Sequence, residues 1–435
     1  MLSNSLKILY SVQATGNGHI SRASEVYQYL SKYGTVDILL SGSNCNLPVD
    51  LPVKYRLSGI SLFYKHGGGL DYWKMFKQLN PFKIIKQIVS IPVHQYDLII
   101  NDFDSLTSLA CRLRKVKSVH WGHQASFQYT KSPKPEKSDT LGEWVLKNYC
   151  KASVHIGLHF LPYDLGILPP IIKESVRQTN PSNQGHLTVY LPQYSIKELI
   201  NNLSSLNFVP IHIFTSQVKE PQKHQHITCY PVDKDTFSNS MIHCAGLITA
   251  GGFESPAEAL YLGKKLIVIP IRGQYEQLCN SAALSKMGVP VLPELTVHTG
   301  QLICKYFSLF SHQISGNSFQ NFNKVSNLVI DPINPFAEPF TALEIKSKKN
   351  KKSQNTWLNK LSNQPNLEAN SVNQSEIGNY FRLFSNEDIV DKMMSIAVNY
   401  VNTLEERKSI FRRLFKKRRY PNLPLISDLQ IPVSQ

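Results

Sequence analysis

Apolar and polar residues come in alternating blocks along the first part of the chain, and the blocks read in turn as strands and helices. Leu6-Lys-Ile-Leu-Tyr-Ser-Val12 is a short apolar run that enters the turn Gly16-Asn-Gly18-His19. A run of that length ending in glycine fits a buried strand. The spacing then predicts a helix from about Ser21 to Tyr33, ended by Gly34, and a strand over Val36–Leu40. Tyr96-Asp-Leu-Ile-Ile-Asn-Asp102 is a further strand that finishes in polar residues. A helix over Ser105–Leu113 and a strand near Ser118–His120 follow. Strands that alternate with helices predict a parallel sheet covered on both faces.

Between about Gly157 and Gln184 the pattern gives way to proline-rich text, which marks a domain boundary. A second alternating run starts at His186-Leu-Thr-Val-Tyr-Leu191. It continues through a helix over Ile196–Leu203 and strands over Val209–Phe214 and His226–Cys229. It reaches Ile248-Thr-Ala-Gly-Gly-Phe-Glu-Ser-Pro-Ala-Glu-Ala-Leu-Tyr-Leu-Gly263, which reads as strand, glycine turn, helix and glycine stop. The predicted class is therefore α/β, with two doubly wound Rossmann-like domains facing a cleft. The expected units are a first domain over 1–165, a linker over 166–184 and a second domain over 185–340. A low-complexity, disordered insertion over 341–380 and a C-terminal helix with a basic tail over 381–435 complete the chain.

Composition narrows the class. A chain of 435 residues has room for two or more domains. Lys and Arg number 47 against 31 Asp and Glu, a formal net charge of +16, which points to an anionic partner. The seven cysteines form no CxxC pair, so neither a zinc site nor a disulfide framework is supported. No apolar run approaches the roughly 18 residues of a membrane span, and the N-terminus does not read as a signal peptide. The expected location is the cytoplasm, with the inner face of the cell membrane as a candidate peripheral site.

Two basic segments bear on that choice. Near the C-terminus Ile410, Phe411, Leu414 and Phe415 form an apolar stripe among eight Lys and Arg residues. Residues 407–419 are thus a candidate contact with an anionic membrane surface. The second segment, His66–Ile88, mixes aromatics, aliphatics and Lys74, Lys77, Lys83 and Lys86. It reads either as a lipid-facing patch or as an ordinary helix on the sheet. Nucleic acid is disfavoured as a partner, because the Lys346–Lys352 run carries no interleaved aromatics.

The stretch from Ile248 carries the chemistry. Gly251 and Gly252 at a helix start allow close approach of a phosphate to backbone amides and the positive helix end. Ser255 adds a donor, and Glu258, one turn on, can accept both hydroxyls of a ribose. Gly263 ends the helix and Leu266–Ile269 returns the chain to the cleft, where Glu276 and Gln277 can bond sugar hydroxyls. No metal-ligand cluster is present in the pattern.

Thr249-Ala-Gly-Gly-Phe-Glu-Ser-Pro-Ala-Glu-Ala259 resembles the donor-binding signature of family 1 glycosyltransferases of the GT-B fold. Thr249, Gly252, Ser255, Glu258, Ala259, Gly263, Pro270, Gln277 and Asn280 match it in order. Gly273-Gln-Tyr-Glu-Gln277 is similar to the donor loop of bacterial and archaeal members. Ala250 and Glu254 depart from the plant-type pattern, which has His and Asn there. The turn Gly16-Asn-Gly18-His19-Ile-Ser-Arg-Ala23 resembles the first-strand turn of the same family, and Asp102-Phe103 resembles its Asp-Phe.

The resemblance implies a sugar transferase with a nucleotide-sugar co-substrate, a UDP-sugar first among the candidates, and no other cofactor. It implies His19 as general base, Asp102 as the carboxylate that orients it with Asp104 as competitor, and an inverting, metal-independent transfer. Donor-binding residues are then Gly251, Gly252, Ser255, Glu258, Glu276, Gln277 and Asn280, with Gly16 and Gly18 at a phosphate or turn position. The acceptor is a hydroxyl of a glycolipid, a polysaccharide or another cell-envelope molecule, lipid-linked ones included. Two other readings stay open: a sugar-nucleotide 2-epimerase of the same fold, and a non-catalytic sugar-nucleotide-binding subunit.

Overall fold

A computed structural model of the chain describes residues 6–15, 17–44, 51–59, 80–207, 209–300, 303 and 374–416. The first sheet is built from β1 (Leu6–Thr15), β2 (Gly34–Asn44), β3 (Val53–Leu57), β4 (Leu98–Asp102), β5 (Val119–Gly122), β6 (Val154–Leu158) and β7 (Ile167–Leu168). Its strands lie in the order β3-β2-β1-β4-β5-β6-β7, all parallel. The helices of this half are α1 (Asn17–Leu30), α2 (Pro81–Ser90), α3 (Ser105–Leu113), α4 (Thr140–Asn148) and the single turn α5 (Glu174–Arg177). A 3₁₀ segment, His123–Gln128, follows β5 directly.

The second sheet has the order β10-β11-β9-β8-β12-β13. Its parallel members are β8 (Leu187–Tyr190), β9 (Ile211–Thr215), β11 (Ile227–Pro231), β12 (Gly246–Thr249) and β13 (Lys265–Val268). β10 (Gln222–His224) is an antiparallel edge. Helices α6 (Ile196–Leu203), α7 (Lys234–His243), α8 (Glu254–Tyr261) and α9 (Tyr275–Lys286) belong to this half. Both sheets are doubly wound, with the first strand central and the order reversing beside it. In such sheets ligands bind outside the carboxyl ends of the strands at the reversal. Here those points are the ends of β1 and β4 in one half and of β8 and β12 in the other. The architecture is the GT-B arrangement expected from the sequence.

Strands of this kind read as continuous apolar runs because both faces are covered. Ile8, Tyr10 and Val12 face one layer of core and Leu9 the other, all fully buried. The helix predicted from Ser21 begins four residues earlier, at Asn17, and takes in Gly18 and His19 of the expected glycine turn. His19 therefore sits in its first turn. Within the proline-rich tract β6 and the two-residue β7 extend the first sheet. Strands so short, broken by Pro162, leave too little periodicity to register in the sequence.

The chain returns to the first half at its end through α10 (Gln374–Arg382) and α11 (Asn386–Lys416). The last residues of the segment expected to be disordered, 374–380, are thus helical. α10 lies against α8, with Arg382 Nη2 donating to the Tyr261 carbonyl at 2.7 Å. Ser385 and Asp388 bond reciprocally at 3.0 Å, capping α11 as their spacing predicts. Ile389, Val390, Met393, Met394 and Ala397 then bury in the core, with α11 packed against α1 and β4. The side chains of the 407–419 stripe lie outside the described residues.

Candidate active site

The site forms where the carboxyl ends of β1, β4 and β5 meet those of β12 and β13. His19 Nδ1 lies 2.8 Å from Asp102 Oδ1. Asp102 is fully buried at the end of β4 and also receives Arg22, with Nη2 to Oδ1 at 2.7 Å and Nε to Oδ2 at 3.1 Å. Arg22 is one turn beyond His19 on α1, so one helix presents both groups to one carboxylate. Burial alone would raise the Asp102 carboxyl; the Arg22 charge, and then His19, outweigh it and hold it well below the usual carboxylate range. Asp102 is thus an anion, and a proton on Nδ1 of His19 leaves the lone pair on Nε2.

The competitor Asp104 is spent elsewhere. Its carboxylate caps α3 by accepting from the amides of Leu106 and Thr107, and it takes the Ser11 hydroxyl at 2.8 Å. Between the two acids Phe103 adopts φ of 58°, unusual for a bulky residue. Its ring is parallel to that of His19, 6.3 Å away. Gly122, with φ of 145°, closes the other side. A Cβ there would lie 2.9 Å from Asp102 Oδ1 and 3.2 Å from Arg22 Nη2, so only glycine leaves room for the pair.

The second half supplies the facing wall. Arg22 Nη1 donates to Glu254, the first residue of α8. Burial pushes the Glu254 carboxyl up to about 7 although Arg22 opposes the shift. Behind it, Gly251 is packed so closely that a Cβ would meet the Gln277 carbonyl at 2.7 Å, whereas Gly252 borders open space. The Gly251 amide is taken by Gln277 Oε1 at 3.1 Å, and the same oxygen accepts from Ile271 at 2.9 Å. Ser255 lies in the first turn of α8, and no side chain caps that helix end. Glu258 is buried and paired with Lys173, 3.1 Å away.

Three residues join the two walls; the sequence reading leaves out Gln124 and His123, and it takes Arg22, part of the turn motif, as either a phosphate contact or a surface residue. Gln124 Nε2 donates to Glu276 Oε1 at 3.0 Å and lies 3.4 Å from His19 Nε2. His123 stacks on Phe253 at 3.9 Å. Its Nδ1 is 2.9 Å from the Leu158 carbonyl and its Nε2 2.6 Å from Asn280 Oδ1. Asn280, fully buried, spends its amide on the Gly251 carbonyl at 2.9 Å. Burial lowers the basicity of His123, yet both of its nitrogens face oxygen acceptors. Arg22 is the third. The only signal for His123 and Gln124 was a His-Gln pair after a short strand, which is not distinctive by itself, whereas Arg22 stood in the turn motif and its contact with Asp102 and Glu254 did not show there.

The structure thus brings together His19, Gly18, Gly252, Ser255 and Glu276, with Asp102 buried directly behind His19. Gly251, Glu258, Gln277 and Asn280 are buried behind them, and the Gln277 oxygen expected to meet a sugar hydroxyl is spent on the Gly251 and Ile271 amides; Gly16 lies outside the described residues. Gly18 faces the second half directly, since a Cβ on it would meet Glu254 Cγ at 3.2 Å.

The sequence matches the family described as Glycosyl transferase family 1 over residues 6–300. The chain belongs to that family. The turn at His19 and the glycine–glutamate stretch of this glycosyltransferase both lie inside the matched region. No curated protein matches the sequence. Among solved structures, the spinosyn forosaminyltransferase SpnP is 11% identical, with 91% of this chain and 100% of that one covered and a TM-score of 0.48. MurG of Acinetobacter baumannii is 14% identical, with coverages of 74% and 99% and a TM-score of 0.42. UGT2 of Phytolacca americana, solved with UDP-2-fluoroglucose and pterostilbene, is 12% identical, with coverages of 76% and 99% and a TM-score of 0.45.

Proposed function

We propose that this glycosyltransferase moves a sugar from a nucleotide-sugar donor to a hydroxyl acceptor in the cleft between the two sheets, with His19 as general base. The contact of His19 Nδ1 with the Asp102 carboxylate carries the reading. It leaves Nε2 as the basic atom, on the side of Gln124 and Glu276. As the acceptor oxygen attacks the anomeric carbon, its proton passes to Nε2, and Asp102 stabilises the imidazolium that results. The bond from that carbon to the diphosphate breaks on the opposite side, so the configuration inverts.

The leaving diphosphate meets the uncapped N-terminus of α8 at Gly252 and Ser255, which stabilise its charge without a metal. Gly251 acts as the packed base of that turn, held by Gln277 and Asn280. Glu258 takes the ribose hydroxyls from its position beside Lys173, and Glu276 takes a sugar hydroxyl. A UDP-sugar is the first donor to try. The acceptor is a glycolipid, polysaccharide or other envelope hydroxyl, and the basic stripe at 407–419 holds the enzyme to an anionic inner membrane surface.

The test is a thermal-shift screen of nucleoside diphosphates, followed by turnover of the matching nucleotide sugars. A ligand that binds the native state raises the melting temperature. His19→Ala should keep the shift and lose turnover. Equal turnover in that variant would remove His19 from the chemistry, and the absence of any nucleotide-dependent shift would sink the whole reading.

A further inference from the structure

The outer face of α2 carries apolar side chains that the fold does not use. Phe82, Ile85 and Val89 are 86%, 58% and 61% exposed, while Ile84 and Ile88 pack toward the sheet. At 3.6 residues per turn the three exposed side chains fall within about 60° of one another and form one stripe. Leu113, 70% exposed, adds to it at the end of α3. The two helix ends adjoin, because Arg114 donates from Nη1 to the Ile88 carbonyl at 3.1 Å and from Nη2 to the Val89 carbonyl. A helix that is apolar on two opposite faces normally has both covered.

Charge says what the cover is. Lys83 and Lys86 lie on the same helix, exposed Arg112, Lys115 and Lys117 lie at and just beyond the end of α3, and neither Asn80–Tyr96 nor Ser105–Pro135 contains an Asp or Glu. A second copy of this chain would set like charges face to face. Nucleic acid would meet the cations but leave the apolar stripe unsatisfied. We propose that this face docks on an anionic lipid bilayer, with Phe82, Ile85, Val89 and Leu113 in the acyl boundary and Lys83, Lys86, Arg112, Lys115 and Lys117 at the headgroups.

The docking also orients the cleft. α2 leads through the 3₁₀ turn Val93–Gln95 into the start of β4, so its Phe82 end lies toward the carboxyl edge of the sheet, where β4 delivers Asp102. Docked this way, the bilayer holds the mouth of the cleft near the headgroups, where a lipid-linked acceptor presents its hydroxyl. This last step rests on the proposed transfer; the docking does not.

The experiment is co-sedimentation of the full chain with phosphatidylcholine vesicles, with and without phosphatidylglycerol. Binding should require the anionic lipid and weaken with salt. The variant Phe82→Ser, Ile85→Ser, Val89→Ser should lose at least about tenfold in partitioning, as expected for removing an inserted apolar face, with an unchanged melting curve. Lys83→Glu with Lys86→Glu should do the same. A variant of the tail, Arg412→Gln with Arg413→Gln, removes charge only from the 407–419 contact and should lose less binding than the serine variant. Wild-type protein that ignores anionic vesicles, or binding lost only in the tail variant, overturns the proposal. So does self-association abolished by the serine variant, which would make the stripe a contact between copies. Vesicle binding without sugar turnover would leave the docking standing and remove only the transfer reading.

Discussion

Arg22 of the first half donates to Glu254 of the second, so the carboxylate at the head of α8 is met by a cation across the cleft. Glu254 stands where the plant-type signature has Asn, and an acid beside a diphosphate would repel it. The ion pair answers that objection, and it couples the cleft to pH. With its carboxyl raised by burial to about 7, Glu254 binds its proton more tightly folded than unfolded. Its contribution to stability is complete below the ordinary carboxylate range and is lost as pH rises through about 7. Glu254→Gln should therefore match wild type in denaturant midpoint at pH 5 and exceed it at pH 8, by up to about 2–3 kcal/mol. A constant difference across that range would mean that Glu254 does not titrate there.

Gly122→Ala should disable the site without emptying it. The added methyl would intrude on Asp102 and Arg22 and would sit on a backbone of φ 145°. The expected result is destabilisation of about 1–3 kcal/mol with a loss of turnover larger than any change in nucleotide binding. Chemical denaturation and turnover measured on the same preparation check both halves of the statement.

Asp102→Asn tests the orientation of the base. It keeps the shape but removes the charge that stabilises the imidazolium, so turnover should fall by about 10²–10⁴. Nucleotide binding, measured by calorimetry, should stay within about threefold. A variant with near-normal turnover would assign the base elsewhere.

Asn280→Ala tests the support behind the glycine turn. It removes the donor to the Gly251 carbonyl and the acceptor facing His123. Burying those groups unpaired costs about 1–3 kcal/mol each. The variant should melt earlier and bind nucleoside diphosphate more weakly. Leu158 and Asn280 both offer oxygen atoms to His123, so both contacts are hydrogen bonds only when the ring carries two protons, a state that burial opposes. Nitrogen NMR of labelled histidine reads that protonation directly.

The buried histidines predict an acid limit. Burial lowers His155 and His212 to about 4, and lowers His120 as well. These rings take up protons more readily when unfolded, so the stability they contribute is present above about 6.5 and lost as pH falls toward 4. The urea midpoint should drop steadily through that window, and His155→Gln should flatten part of the drop.

Much of this was legible in the chain because the same residues do two jobs. The apolar runs at Leu6–Val12 and Leu98–Asn101 state both the strand and its burial, and each strand delivers its last residues to the cleft. The family resemblance paired His19 with Asp102, and the strand ends show why the two meet. What stayed hidden depends on closeness between distant segments. Nothing local to Gly122 signals that its missing side chain makes room for Arg22 and Asp102. Gln124 gains meaning only when β5 places it between His19 and Glu276. Asn280 matches a binding motif, yet packing turns it inward to the Gly251 carbonyl. β7 is too short, at two residues, for any pattern to mark.

Among the described residues the chain crosses between its halves twice, and the crossings are stitched together. Asn386 donates to the Ile172 carbonyl at 2.6 Å and accepts from its amide at 3.1 Å, while Arg177 Nη2 donates to the Phe384 carbonyl at 2.9 Å. A single linker would let the halves swing in any direction. Two linkers bonded side by side behave as a door hinge, with one easy axis and stiff resistance to twist. Any relative motion of the halves is then confined to the arc that separates His19 from Gly252.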